Sequence, residues 1–190
     1  QVLNPEDNRH GLLKGGRGAY ADDYSYIDQQ MEWCSTEHNC STLQAIKGLH
    51  LVLKDERYNQ CASLIQSNLI SKLYDSENGR FYQGISQSGV DEAWAIDCLS
   101  WAGKTAHSVG RTDIANACAD QIMNKFLLQN KTILVSSEKE TFNLTYSSDE
   151  SISGFKPYAD GYDNPPQLIW SEGTLGVAAL FKAIGRQEQA

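Results

Sequence analysis

The sequence predicts a mainly α fold built from helix hairpins. Apolar residues recur at helical spacing over several stretches, paired stretches are joined by very short connections, and two helix ends share a Gly-Arg junction. With 190 residues, 41% of them apolar, residues 1–190 suffice for a single domain with a real core.

Residues 1–30 read as an irregular N-terminal segment. Gly15-Gly16-Arg17-Gly18 and the group Tyr20, Tyr24 and Tyr26 mark a loop. Leu43, Ile46, Leu49 and Leu53 then recur at helix spacing. Asp55 is placed to cap a second helix carrying Tyr58, Cys61, Ala62, Ile65, Leu69 and Leu73. So short a connection forces the two helices antiparallel. Asn78-Gly79 signals a turn, with Phe81-Tyr82-Gln83-Gly84 as a short strand.

A third helix carries Ala95, Cys98, Leu99, Ala102, Ala106 and Val109 and stops at Gly110. Thr112 caps a fourth, with Ile114, Cys118, Ile122 and Phe126, completing a second hairpin. Residues 130–166 lose the helical period, and a small β excursion is expected around 131–146. A connection that long without helices is usually functional. After Pro165-Pro166 a fifth helix runs through Leu175 to Phe181, apolar nearly all round as a buried inner helix would be.

The third helix ends in Gly110-Arg111 and the fifth in Gly185-Arg186, each followed by polar residues that open another helix. This is a weak internal repeat. It leads us to expect a sixth helix after Arg186, with a second chain or segment completing the set of hairpins.

Composition narrows the partners. With 24 acidic and 16 basic residues the net charge is −8, which argues against nucleic acid or an anionic membrane as the main partner. No apolar run reaches the ~20 residues of a membrane helix, so no membrane insertion is expected. The polar start at Gln1 fits a processed secreted protein or an excised fragment. Of five cysteines, Cys61, Cys98 and Cys118 fall in helical patterns as small core residues, while Cys34 and Cys40 bracket a loop that a local disulfide could close. Sequons stand at Asn39, Asn130 and Asn143. Together these point to an extracellular or secretory-pathway protein, with Asn130 and Asn143 as glycosylation sites.

Chemistry concentrates at three helix starts: Glu32-Trp33-Cys34-Ser35-Thr36-Glu37-His38, Asp91-Glu92-Ala93-Trp94-Ala95-Ile96-Asp97 continued by Ser100-Trp101, and Ile169-Trp170-Ser171-Glu172-Gly173-Thr174. Each pairs an indole with carboxylates. Indole faces stack on sugar rings, and paired carboxylates can hydrolyse a glycosidic bond. Glu37, Asp97 and Glu172 are therefore candidate catalytic groups, and Trp33, His38, Trp94, Trp101 and Trp170 candidate substrate contacts. The structural readings are plain as well. Glu37 or Glu172 in a first turn can simply favour the helix dipole. Trp94 and Trp101, seven apart, lie on one face, and one of them is expected in the core. Asp97 differs, because a carboxylate between Ile96 and Cys98 is costly unless paired or facing a cleft. Neither metal nor other cofactor is expected: Cys34, His38 and Cys40 lack a second ligand pair at zinc spacing, and no phosphate-binding glycine motif or serine elbow occurs.

At Ser35-Thr36-Glu37-His38-Asn39, Asp97-Cys98-Leu99-Ser100-Trp101 and Trp170-Ser171-Glu172-Gly173-Thr174 the chain resembles the six-hairpin glycosidase-like superfamily, the (α/α)6 toroids of carbohydrate-active proteins. The order and spacing fit over roughly residues 30–185. The resemblance implies the helix hairpins of an (α/α) toroid, incomplete in this chain at about half a ring. It also implies a sugar-binding cleft at the inner-helix starts, near Glu37, Asp97 and Glu172. Cys34, Cys40 and the Asn39 sequon depart from the pattern, and a glycan on Asn39 would obstruct the cleft.

Two functions follow. In the first, the chain is glycoside hydrolase-like, acting on an oligo- or polysaccharide by inversion, with two of the three carboxyl groups ~6.5–9.5 Å apart. In the second it is a non-catalytic extracellular module, a glycan-binding or structural glycoprotein of a surface filament or matrix.

Overall fold

The computed structural model describes residues 1–132, 151–161 and 167–189. Strands β1 (Gly16–Tyr20) and β2 (Tyr26–Met31) form an antiparallel hairpin with a bulge between Arg17 and Ala19. Strand β3 (Cys34–Ser35) leads into helix α1 (Thr36–Leu53), where the Ser35 hydroxyl accepts from His38 N–H as N-cap. Only Lys54 and Asp55 separate α1 from α2 (Glu56–Leu73). Asp55 caps α2 as the sequence predicts, accepting from Arg57 N–H at 2.9 Å. Leu43, Ala62 and Ile65 pack this first helix pair together.

Strands β4 (Tyr74–Asp75) and β5 (Arg80–Phe81) close the Asn78-Gly79 turn, and β6 (Gly84–Ser86) pairs with both β3 and β7 (Gly89–Asp91). The second helix pair is α3 (Ile96–Ser108) and α4 (Thr112–Lys125). The N-cap of α4 is Arg111 rather than Thr112, which is already the first helical residue. Strands β8 (Leu127–Thr132) and β9 (Ser151–Phe155) pair antiparallel before helix α5 (Ser171–Ala183) and a 3-10 turn, Gln187–Gln189.

The main core gathers Leu69, Leu73 and Phe81, the α3 and α4 residues Leu99, Ile114, Ile122 and Phe126, and Val177, Leu180 and Phe181 of α5. Each such side chain contributes ~1.5–3 kcal/mol by leaving water. Small residues set how α3 and α5 cross. A Cβ on Gly173 would stand 3.0 Å from Ile96, one on Gly176 3.1 Å from Ser100, and one on Gly103 3.2 Å from Leu180. These contacts climb both helices together, so α3 and α5 run parallel with their N-termini at one end.

The predicted mainly α fold, helix hairpins of an incomplete (α/α) toroid, is corrected. The described residues are 48% helical and 21% strand, the latter in several small antiparallel sheets, so the fold is mixed α/β. Apart from β1 and β2, the strands missed are two- and three-residue pairings, whose partners are fixed by tertiary contact and leave no period in the sequence. Residues 1–30 are not wholly irregular, because they hold β1 and most of β2. The predicted β excursion starts earlier, at Leu127, and most of 131–146 lies outside the described residues. Helix α5 is not covered all round, since Leu175 is 71% exposed. A 3-10 turn follows Arg186 where another helix start was expected.

The Gly-Arg repeat is present in three dimensions. Gly110 (φ 83°) and Gly185 (φ 82°) both take the left-handed conformation. Arg111 N–H donates to Ala106 O at 2.9 Å and Arg186 N–H to Phe181 O at 2.8 Å, the same six-residue closure in each case.

Candidate active site

The three chemistry-bearing helix starts meet at one end of the fold. Gln83 joins two of them: its carbonyl accepts from Thr36 N–H of α1 at 3.0 Å and from the Cys98 thiol of α3 at 3.8 Å. The Gly173–Ile96 approach brings the start of α5 against the start of α3. Thr36 is held further by its hydroxyl, which donates to Tyr82 O at 2.6 Å.

A strap the sequence did not reveal crosses the start of α3. Ile96 N–H donates to Pro157 O, Ala159 N–H donates to Trp94 O, and Ala95 bridges antiparallel to Tyr158. The strap is pinned by Lys156, 4% exposed, whose Nζ lies 2.7 Å from Asp160 Oδ1; Gln167 Nε2 donates to the same oxygen. Its nearest signal in sequence was the long connection itself.

Asp97 lies in the first turn of α3, and its Oδ1 accepts from Cys98 N–H at 2.8 Å. Burial pushes its carboxyl above the usual carboxylate range. The Cys98 hydrogen bonds pull part of the way back, and the charge of Glu172 pushes further up. No cation among the described residues pairs with it. Glu172 is exposed in the first turn of α5. Glu37 is 33% exposed, with Oε2 3.5 Å from His38 Nε2, and His38 is 56% exposed. Glu37 and Asp97 both act on the Cys40 and Cys98 thiols lying between α1 and α3. Burial pushes Cys40 up to about 12 and Cys98 well above its ordinary value.

The indoles divide. Trp101 stands four residues after Asp97, on the same face of α3, and is 37% exposed. Trp170 is the N-cap of α5 and packs on Gly173. Trp94 is engaged within the protein, with Arg80 Cζ 4.4 Å and Lys125 Nζ 4.6 Å from its ring centroid. Trp33 packs against Gly84, where a Cβ would stand 2.5 Å from Nε1. The structure thus brings Glu37, His38, Asp97, Trp101, Trp170 and Glu172 to one end, while the rings of Trp33 and Trp94 serve packing.

One further group went unread in the sequence. Gln83 Oε1 is buried and lacks a hydrogen-bond donor among the described residues. Open depressions lined by described residues lie away from this end. One of about 410 Å³ is lined by Ala178, Ala179, Lys182 and Gln187, and one of about 350 Å³ by Ile46, Arg57, Tyr58 and Cys61.

All five cysteines are free, so the Cys34–Cys40 disulfide considered above is absent; both thiols are fully buried. Asn39 is fully buried, its amide donating to Leu13 O and Ser35 O and its oxygen accepting from Leu13 N–H. A glycan there is incompatible with the fold, which removes the obstruction raised by its sequon. Asn130 is exposed at φ 53°, open to modification; Asn143 lies outside the described residues. Among the described residues, no helix is long and apolar enough to cross a membrane and no side-chain cluster is suited to hold a metal ion. No protein-family model and no characterised protein matches the chain.

Proposed function

We propose that the chain hydrolyses glycosidic bonds of an uncharged oligo- or polysaccharide, with Asp97 as general acid and Glu172 as general base. The observation that carries this reading is the half-buried Asp97 carboxyl, unpaired with any described cation, beside an exposed second carboxylate on a converging helix. Burial keeps Asp97 protonated to higher pH than a free carboxyl, as proton donation to a leaving oxygen requires. Glu172, open to solvent, is suited to activate water. Glu37 and His38 border the same end and would hold substrate hydroxyls. Trp101, on the Asp97 face of α3, offers a stacking surface.

An extracellular or secretory setting accords with this substrate and with the exposed Asn130 sequon. The test is a reducing-end assay on neutral polysaccharides with the wild type, Asp97→Asn, Glu172→Gln and Glu37→Gln. Hydrolysis that falls by about 10²–10⁴-fold in Asp97→Asn and Glu172→Gln is expected. Full activity in both variants would refute the assignment.

A non-catalytic glycan-binding role is the second reading, favoured by the exposed Leu175 on α5 and by Leu51 and Val52 on α1, 66% and 78% exposed. These apolar surfaces suit a further chain or segment packed on either side. Binding without turnover in the same assay would select it.

A further inference from the structure

We propose that the β1–β2 hairpin is a carbohydrate-binding arm, with Tyr20, Tyr24 and Tyr26 forming a stacking platform for units of a neutral polysaccharide chain beyond the carboxylate end. The proposal rests on the carbohydrate reading above but uses none of its catalytic groups.

The arm has little structural reason for its aromatic content. Tyr20, Tyr24 and Tyr26 are 74%, 87% and 59% exposed, so they contribute little to the core. Nevertheless they are arranged. Tyr20 and Tyr26 are cross-strand partners in edge-to-face contact, ring centroids 5.8 Å apart. Tyr26 also lies across Gly18 at the bulge, where a Cβ would stand 2.6 Å from its ring. The φ of 97° at Gly18 and the missing side chain together make room for that ring.

Tyr24 is the strongest point. It sits at the turn with φ 63°, a conformation that costs a bulky residue energy and that Gly or Asn adopts readily. The turn enforces it: Tyr24 N–H donates to Ala21 O, Ala21 N–H donates to Ser25 O, and Ser25 N–H donates to Asp23 Oδ1. A strained aromatic that is 87% exposed serves something outside the chain.

The arm is rooted at the candidate site. Glu32, directly after β2, is paired by Arg9 at 2.8 Å and Lys14 at 2.7 Å, and Gly15 N–H donates to Trp33 O. Ser35 of β3 and Glu37 of α1 follow within a few residues. The base of the arm and Glu37 are thus neighbours along the chain.

The chemistry selects a sugar polymer. Tyrosine gives an apolar ring face with a hydroxyl at its rim, while Asp22 and Asp23 at the tip accept hydrogen bonds from hydroxyls and repel anionic chains. The Arg17–Asp28 pair across the strands and the charged tip oppose strand addition by a second copy.

The experiment is affinity electrophoresis of the intact chain through soluble starch, xylan, galactomannan and mixed-linkage glucan, with Tyr24→Gly, the double variant Tyr20→Ala/Tyr26→Ala and Asp97→Asn alongside. Retardation of the wild type by at least one polymer is expected, weakened about tenfold or more in both tyrosine variants. Tyr24→Gly should melt no lower than the wild type, since it relieves the turn. Asp97→Asn should remain retarded while losing hydrolysis. Retarded protein that hydrolyses nothing would leave the arm standing and remove the catalytic reading. Hydrolysis of the polymers with retardation unchanged in both tyrosine variants would overturn the arm and spare catalysis. The arm is overturned too if no polymer retards the wild type, or if sedimentation shows self-association that Tyr24→Gly abolishes.

Discussion

The Arg80 guanidinium carbon lies 4.4 Å from the centroid of the Trp94 ring, and the Arg80 side chain is only 6% exposed. The same guanidinium pairs with Asp75 at 3.3 Å, donates to Glu92 O at 2.6 Å and lies 4.9 Å from the Tyr82 ring centroid. Burial pushes the Asp75 carboxyl up, but hydrogen bonds from Asn78 and Arg80 outweigh it and hold it below its ordinary value. Trp94 is thus part of a buried cation cluster that supports the start of α3.

Arg80→Met is expected to destabilise the chain by about 3 kcal/mol, because it leaves Asp75 without its buried cation. Urea unfolding of the variant measures this, and a change under about 0.5 kcal/mol, the range of ordinary surface substitutions, would show that the cluster carries little.

Gly84→Ala should cost about 2–3 kcal/mol. The added Cβ would stand 2.5 Å from Trp33 and 2.6 Å from Cys34 O, so both the indole and the β3–β6 pairing must shift. Thermal melting against the wild type checks it, and an unchanged melting temperature would contradict the packing of Trp33.

Thiol chemistry should separate the cysteines. Cys34, Cys40, Cys98 and Cys118 are buried and pushed up by that burial, whereas Cys61 is half-buried. A disulfide-exchange reagent is expected to label Cys61 first in the native protein and all five thiols after unfolding. Rapid native labelling of Cys40 would count against the α1–α3 contact.

Asp97 links stability to pH. Its carboxyl holds a proton more tightly in the folded chain than in the unfolded one. Its contribution is therefore full below the ordinary carboxylate range and is lost as pH rises through the raised value. Asp97→Asn should melt higher than the wild type at neutral pH and no differently in acid; a lower melting temperature at neutral pH would show that a partner stabilises the ionised form.

Helices with an apolar period were legible in the sequence: Leu43 to Leu53, Tyr58 to Leu73, and the α3–α4 pair all fall where the spacing put them, and Asp55 and Gly110 mark boundaries by their own chemistry. The β1–β2 hairpin was not legible, because β2 is exposed over nearly all its length and so shows no alternation of apolar and polar residues. The strap over Ala95 and Ile96 depends on backbone bonds to residues some sixty positions earlier, which no local pattern records. At the site, the repeated content of the three helix starts was legible, while their convergence was expected only from a ring of hairpins. That one of Trp94 and Trp101 packs inside was expected from their spacing; which one was not legible, because Arg80 and Lys125 come to Trp94 only through the tertiary fold.

The pH dependence of kcat/KM for polysaccharide hydrolysis, in the wild type and Asp97→Asn, tests the central claim most directly. Turnover should persist above the ordinary carboxylate range and fall as Asp97 loses its proton, and Asp97→Asn should lose about 10²–10⁴-fold while remaining folded. A folded Asp97→Asn that keeps the wild-type rate and profile would contradict it.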